Sequence, residues 1–189
     1  MEIYVKTLSG DTVLLVGQDT LEIKKNVDGI EQNDFLTACF DGNTEIVEKT
    51  LEVAEKFDID LNAKDEYGFN CFALACFAGN MENVEKILEV AEKFNIDLNA
   101  KNEYGISGLI PSGGNNCVWV ACSKSNKDIL EKIIEVAEKF NIDLNNKNDD
   151  GANCFDLACC IPNKDILETI LKTSRKFNID FNTKESAGL

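Results

Sequence analysis

The chain contains 189 residues, of which 44% are hydrophobic, so it has enough apolar material to bury a core. Its net charge of -15 disfavours nucleic acid as a partner, because phosphate binding needs a basic surface. No apolar run reaches the length of about 18 residues that suggests a membrane span, and the opening residues lack the pattern of a secretory signal. We therefore expect an intracellular, cytoplasmic protein with no membrane partner.

The first predicted element is a β-hairpin within residues 1–27. The stretch MEIYVKTLSGDTVLLV alternates between apolar and polar residues and turns at Ser9-Gly10, which is typical of two paired strands. An isolated hairpin is only marginally stable in water, so we expect residues 1–27 to form an N-terminal cap and linker. The letters IYVKTLSG also resemble the opening of ubiquitin, and this resemblance would imply a role in ubiquitin recognition.

A seven-residue phrase then divides the rest of the chain into repeats. KFNIDLN occupies residues 93–99 and 139–145, with close variants at 56–62 and 176–182. The spacings are 37, 46 and 37 residues, and such a period predicts an array of stacked supersecondary units. We delimit four units and a short tail: 28–64, 65–101, 102–147 with a loop insertion near its start, 148–184, and the tail 185–189.

Each unit predicts two helices and a turn. An asparagine before the first helix is a favoured N-cap, because its side-chain oxygen accepts from free backbone N–H groups. Glycine closes this helix in the first two units, whereas Ser125 and Pro162 imply different ends in the other two. In the second helix, apolar residues recur at helical spacing between charged ones. The predicted N-caps are Asn33, Asn70, Asn116 and Asn153, and the closing glycines are Gly42 and Gly79.

These residues resemble the ankyrin repeat. The second unit has Gly68 in a turn, then NCFALAC, Gly79-Asn80, Ile87-Leu88 and an Asp97-Leu98-Asn99 ending. The resemblance implies a mostly α fold, an ankyrin-like solenoid of about four helix-turn-helix repeats with an N-terminal β-hairpin. Asn and Cys replace the usual Thr-Pro pair, and the chain contains no His. The period exceeds the usual length of about 33 residues, so we expect one more turn in the second helix.

The last unit differs from the others in its second helix. Thr173 and Ser174 stand where the earlier units have Val and Ala. A terminal repeat needs a polar outer face because no neighbour covers it. We therefore expect residues 148–184 to be the last repeat, with a polar outer face.

The eight cysteines follow the repeat register. Cys39, Cys76, Cys122 and Cys159 share one position, and a free Cys behaves as a small buried hydrophobe, so we expect them to pack between helices. The same holds for a second position, formed by Cys71, Cys117 and Cys154. We expect no metal site, because zinc sites use close Cys or His pairs, and no disulfide framework or catalytic residue. No cofactor motif is apparent either.

The resemblance to ankyrin repeats implies a non-catalytic scaffold or adaptor for protein–protein interaction. The chain is rich in Asn, Lys, Asp, Glu and Ile, which AT-rich coding favours. This composition and the small size resemble the ankyrin proteins of large DNA viruses and protists, which would make the chain a host-interaction factor in the host cytoplasm. A ubiquitin-pathway factor is the alternative, and a Cys-dependent enzyme is a remote one. We expect the partner to be another protein with a basic or mixed surface, and the chain to be a monomer.

The family binds partners through its turn tips and first helices. Tyr67 and Tyr104 are aromatic residues in such turns, and Tyr is enriched in interface hot spots; packing on the neighbouring turn is the alternative. Trp119 lies near the base of the insertion at residues 106–115. The predicted partner-binding residues are Asp65, Glu66, Tyr67, Phe69, Asn102, Glu103, Tyr104, Ile106, Trp119, Asp149 and Asp150.

Overall fold

The computed structural model describes residues 3–6, 12–15, 32–104 and 112–181, and the protein is mostly helical in these ranges. Strands β1 (Ile3–Lys6) and β2 (Thr12–Leu15) pair antiparallel, with Ile3 opposite Leu15. The predicted turn at Ser9-Gly10 and the linker after β2 lie outside the described residues. The role of this segment as a cap stays a prediction.

Eight helices occupy the described part of the repeats. The second helix of every unit has 14 residues, whereas the first helices are shorter. Their bounds are α1 Gln32–Asp41, α2 Thr44–Phe57, α3 Cys71–Ala78, α4 Met81–Phe94, α5 Cys117–Ser123, α6 Lys127–Phe140, α7 Cys154–Cys160 and α8 Lys164–Phe177. No helix within these ranges is long and apolar enough to cross a membrane.

The helices lie in two layers. The first helices α1, α3, α5 and α7 contact one another in that order, and the second helices α2, α4, α6 and α8 do the same. Each first helix also contacts the second helix of its own unit. Val47, Val84 and Leu130, which share one register position in the second helices, are fully buried. Successive helix pairs therefore lie side by side, and each covers apolar surface of the next.

Asparagine side chains set most helix ends. Asn70, Asn116 and Asn153 cap α3, α5 and α7 as predicted. The prediction for Asn33 is wrong, because α1 already begins at Gln32 and Asn33 lies inside the helix. The caps of the second helices were not predicted: Asn43, Asn80, Asn126 and Asn163 each accept from a backbone N–H in the first turn.

The ends of the first helices differ as predicted. Gly42 and Gly79 have positive φ angles of 76° and 75°, a conformation that costs glycine little because it has no Cβ. Ser125 takes this left-handed conformation in the third unit with φ 54°. In the fourth unit the cap Ile161 is extended.

The repeated phrase itself forms a ladder between units. The side chain of Asn62 accepts from the backbone N–H of Asp97 at 2.7 Å and donates to the carbonyl of Asn95 at 3.0 Å. Asn99 makes the same two bonds to Asp143 and Asn141, at 2.8 and 2.9 Å. Asn145 continues the pattern to the last unit. The asparagine that ends each of the first three copies of the phrase thus joins its unit to the next, which gives a physical reason for the recurrence of this residue.

Candidate protein-binding surface

The turns before α3 and α7 form hydrogen-bonded fingers. In residues 65–69 the carboxylate of Asp65 accepts from the backbone N–H groups of Tyr67 and Phe69 at 3.0 and 2.8 Å. In residues 148–152 the side chain of Asn148 accepts from Asp150 and Ala152 at 3.1 and 2.9 Å. Partial burial raises the pKa of Asp65, and this effect outweighs the backbone N–H donors, which lower the pKa.

The insertion leaves the base of the third finger unchanged. Asn102 holds the position of Asp65, and its side-chain oxygen accepts from the N–H of Asn115 at 2.7 Å. The backbone N–H of Asn102 donates to the carbonyl of Asn115 at 3.1 Å, and Gly114 donates back to Asn102 at 2.9 Å. The described residues of the third finger are therefore closed by the same backbone bonds as the second.

Neighbouring fingers are joined through their backbones. The N–H of Glu103 donates to the carbonyl of Tyr67 at 2.8 Å, and the N–H of Asp149 donates to Gly113 at 3.1 Å. The side chain of Asn146 donates to Gly114 at 2.8 Å. Because these bonds run from finger to finger, residues 65–69, 102–104, 112–115 and 148–152 form a continuous finger row.

The finger row presents acidic and aromatic side chains. Tyr67 and Tyr104 are 38% and 63% exposed, so the prediction that they lie exposed in turns is confirmed. Lys64 approaches one of the carboxylates, with its Nζ 4.0 Å from Glu103, and donates to the carbonyl of Lys101. The exposed carboxylates of the row are Glu66, Glu103, Asp149 and Asp150.

Burial corrects the predicted surface at three positions. Phe69 and Trp119 are 1% and 4% exposed and belong to the apolar core, so neither side chain can contact a partner. Asn102 is 2% exposed because its side chain closes the third finger. Asp65 is half-buried beneath its turn. Ile106 lies outside the described residues.

Sequence reasoning missed an aromatic group on the first helices. Phe40 is 47% exposed and stacks on Phe77 with ring centroids 5.5 Å apart. The Nζ of Lys124 lies 3.9 Å from the centroid of the Phe77 ring, a favourable cation–π contact. Phe40 and Phe77 share one repeat position, and this recurrence of a large aromatic at a helix end was the available signal.

The prediction that the first cysteine position is buried is confirmed in the first three units. Cys39, Cys76 and Cys122 are fully buried, and desolvation raises their pKa well above the ordinary value. Cys159 shares their register but is exposed, so its prediction is wrong; no further helix pair covers it among the described residues. Cys160 is also exposed.

The second cysteine position forms hydrogen bonds between units. The thiols of Cys71, Cys117 and Cys154 donate to the carbonyls of Leu61, Leu98 and Leu144 at 3.3, 3.2 and 3.3 Å. Burial raises the pKa of each of these three thiols to about 12. A buried thiol of this kind is a poor nucleophile, because the reactive species is the thiolate.

We expect native thiol labelling to separate two classes of cysteine. Cys159 and Cys160 should react with a small maleimide well before the other thiols, because both are exposed, whereas the six buried thiols should react only after unfolding. Peptide mass spectrometry of a labelling time course measures this directly. The Cys159→Ser/Cys160→Ser variant should lose the fast phase, and a fast thiol elsewhere would contradict the assignment.

Within residues 32–104 and 112–181, no group of three or more His, Cys, Asp or Glu side chains is arranged to hold a metal ion. Comparison of the chain with protein-family models finds no match. Comparison with curated proteins finds no relative either.

Proposed function

We propose that this chain is a non-catalytic protein-binding module, an ankyrin-type solenoid of four helix pairs with an N-terminal hairpin cap, and that its finger row binds a basic segment of another protein. One observation carries the proposal. Glu66, Glu103, Asp149 and Asp150 are exposed together with Tyr67 and Tyr104 on turns that hydrogen-bond to one another.

The chemistry of the finger row favours a partner rich in Arg or Lys. Carboxylates attract such side chains, and the overall charge of -15 steers them toward the chain. The faces of Tyr67 and Tyr104 add cation–π contacts, which favour Arg in particular. Tyr also buries a large area with few rotatable bonds, so it loses little entropy on binding.

The backbone of the finger row supports binding with little rearrangement. Tyr67 is held by the turn bonds to Asp65 and by its carbonyl contact with Glu103. A surface that is ordered before binding spares part of the entropy cost of association. The proposed partner is therefore a segment that adapts its own conformation to a fixed row of side chains.

A labelled arginine-rich peptide tests the proposal by fluorescence anisotropy. We expect the Glu66→Lys/Glu103→Lys variant to bind it about tenfold more weakly, a loss of about 1.4 kcal/mol. The Tyr67→Ala/Tyr104→Ala variant, which keeps the net charge, should also weaken binding, because it removes the aromatic faces.

The matched control is Glu52→Lys/Glu89→Lys on the second helices. It changes the net charge by the same amount at two exposed positions away from the finger row. If this control weakens binding as much as the finger variant does, the attraction is general and the finger row is not the site.

A further inference from the structure

The last helix pair exposes apolar side chains that the other units cover. Leu171 in α8 is 46% exposed, whereas at the same repeat position Leu51 and Leu88 are each 7% exposed and Ile134 is partly buried. Phe181 is 44% exposed, although Leu61, Leu98 and Leu144 at its position are buried. The prediction of a polar outer face is therefore wrong at Leu171 and Phe181: Ser174 is buried and Thr173 is only partly exposed, so these two polar residues do not cover the apolar ones.

In the inner units, a stripe of charged residues on the second helix flanks the position equivalent to Leu171. Helix α2 carries Glu48 and Glu55 on either side of Leu51, and both face the next helix: Lys86 lies 2.5 Å from Glu48, and Lys93 lies 2.6 Å from Glu55. The ion pairs Lys132–Glu85, Lys139–Glu92 and Lys176–Glu138 continue the pattern at 3.6, 3.5 and 3.0 Å. These residues therefore mark the side of each second helix that meets its successor.

The same stripe in α8 has a different charge pattern. Glu168 and Leu171 are retained, but Arg175 replaces the second acid. A further unit stacked in the same orientation would bring a lysine, the equivalent of Lys176, against Arg175, and like charges repel. Arg175 therefore disfavours a repeat of this chain as the next unit in line.

The stripe of α8 is complementary to itself when reversed. Residues three or four positions apart lie on one helix face, so Glu168 and Arg175 flank Leu171 at about one helical turn on each side. If two copies of α8 cross antiparallel at Leu171, each Glu168 meets the Arg175 of the other copy. Within the chain Glu168 also pairs with Lys164 at 3.1 Å, and the Glu168 side chain remains 44% exposed.

In place of the monomer expected from the sequence, we propose that the chain forms a two-fold homodimer in which the exposed end of the last helix pair packs on the same surface of a second copy, with α8 antiparallel to its partner. Leu171 lies at the two-fold axis and Glu168 pairs with Arg175 across it twice. A self-complementary patch of this kind is what a two-fold interface requires. Neither α8 nor Phe181 belongs to the finger row, so the contacts named for the dimer use none of the proposed binding residues.

Sedimentation equilibrium of the full chain at several concentrations tests the proposal, and we expect a monomer–dimer equilibrium. Arg175→Glu and Glu168→Arg should each raise the dimer dissociation constant about tenfold or more, because each places like charges together at two symmetric contacts. The double variant Glu168→Arg/Arg175→Glu should restore the original dissociation constant. Circular dichroism checks that every variant keeps its helices.

Two controls test whether the exposed face of α8 is itself the dimer interface. Glu52→Arg changes the charge on a second helix away from the end face and should leave the dimer unchanged. A chain truncated after Phe181 should also dimerise. A natural chain that stays monomeric at every concentration overturns the proposal. A dimer that forms only after truncation also overturns it, because residues 182–189 would then cover the face in the natural chain. Failure of the double variant to recover overturns it too.

Discussion

Replacing Gly68 with alanine should destabilise the protein more than the same change at Gly151. Both glycines occupy one position in their fingers, with φ angles of +88° and +83°. Alanine in this left-handed region costs about 1–2 kcal/mol at either site. The Cβ added at Gly68 would also lie 2.5 Å from the backbone nitrogen of Glu103, whereas nothing lies within 4 Å of the one added at Gly151.

The contact with Glu103 makes the two variants a matched pair. A clash with backbone cannot be relieved by rotating a side chain, so the next finger must move and its bond to Tyr67 must lengthen. We expect an additional loss of about 1–3 kcal/mol for Gly68→Ala, the usual range for overpacking. Urea unfolding of both variants measures the difference in the free energy of unfolding.

Equal losses at the two sites would mean that the second and third fingers do not touch, and the finger row would lose its basis. Gly68→Ala should also weaken binding of the arginine-rich peptide, because it separates Tyr67 from Glu103. Gly151→Ala should lower the affinity for the peptide less, because the added methyl group does not contact a neighbouring finger.

The local parts of the fold could be predicted from the sequence. Asn70 and Gly79 delimit α3 because capping depends on the residue and its immediate neighbours. The register of the repeated phrase located the second helices for the same reason, since their apolar spacing is a local pattern. The start of α1 was misplaced because the head of the first unit departs from the pattern of the others.

The candidate surface was harder to predict because burial depends on distant segments. Tyr67 and Phe69 are aromatic residues of one turn, yet the bonds of Asp65 hold the turn so that only Tyr67 remains exposed. The ladder bond between Asn99 and Asp143 joins residues that lie farther apart in the sequence because of the loop insertion. The residues around Asn99 do not identify Asp143 as its partner. The exposure of Leu171 likewise depends on α8 having no neighbouring second helix on that side among the described residues.

Replacing Asn83 with isoleucine should stabilise the protein. Asn83 lies in the first turn of α4 and is fully buried, and neither its side-chain oxygen nor its side-chain nitrogen has a hydrogen-bond partner among the described residues. The other three units have Ile46, Ile129 and Ile166 at this position. An unpaired buried amide costs about 1–3 kcal/mol, and isoleucine removes this cost while adding buried apolar area.

The reverse change in the third unit is the matched control. Ile129 is fully buried at the equivalent position, so Ile129→Asn should lower the free energy of unfolding by at least about 2 kcal/mol, from the unpaired amide and the lost apolar burial together. Asn83→Ile should raise it by about 1–3 kcal/mol, less any strain from the larger side chain. Urea unfolding of both variants at equal m-values gives the two changes directly. A loss of stability in Asn83→Ile would contradict the prediction and would mean that the site cannot accept the volume that its three counterparts accommodate.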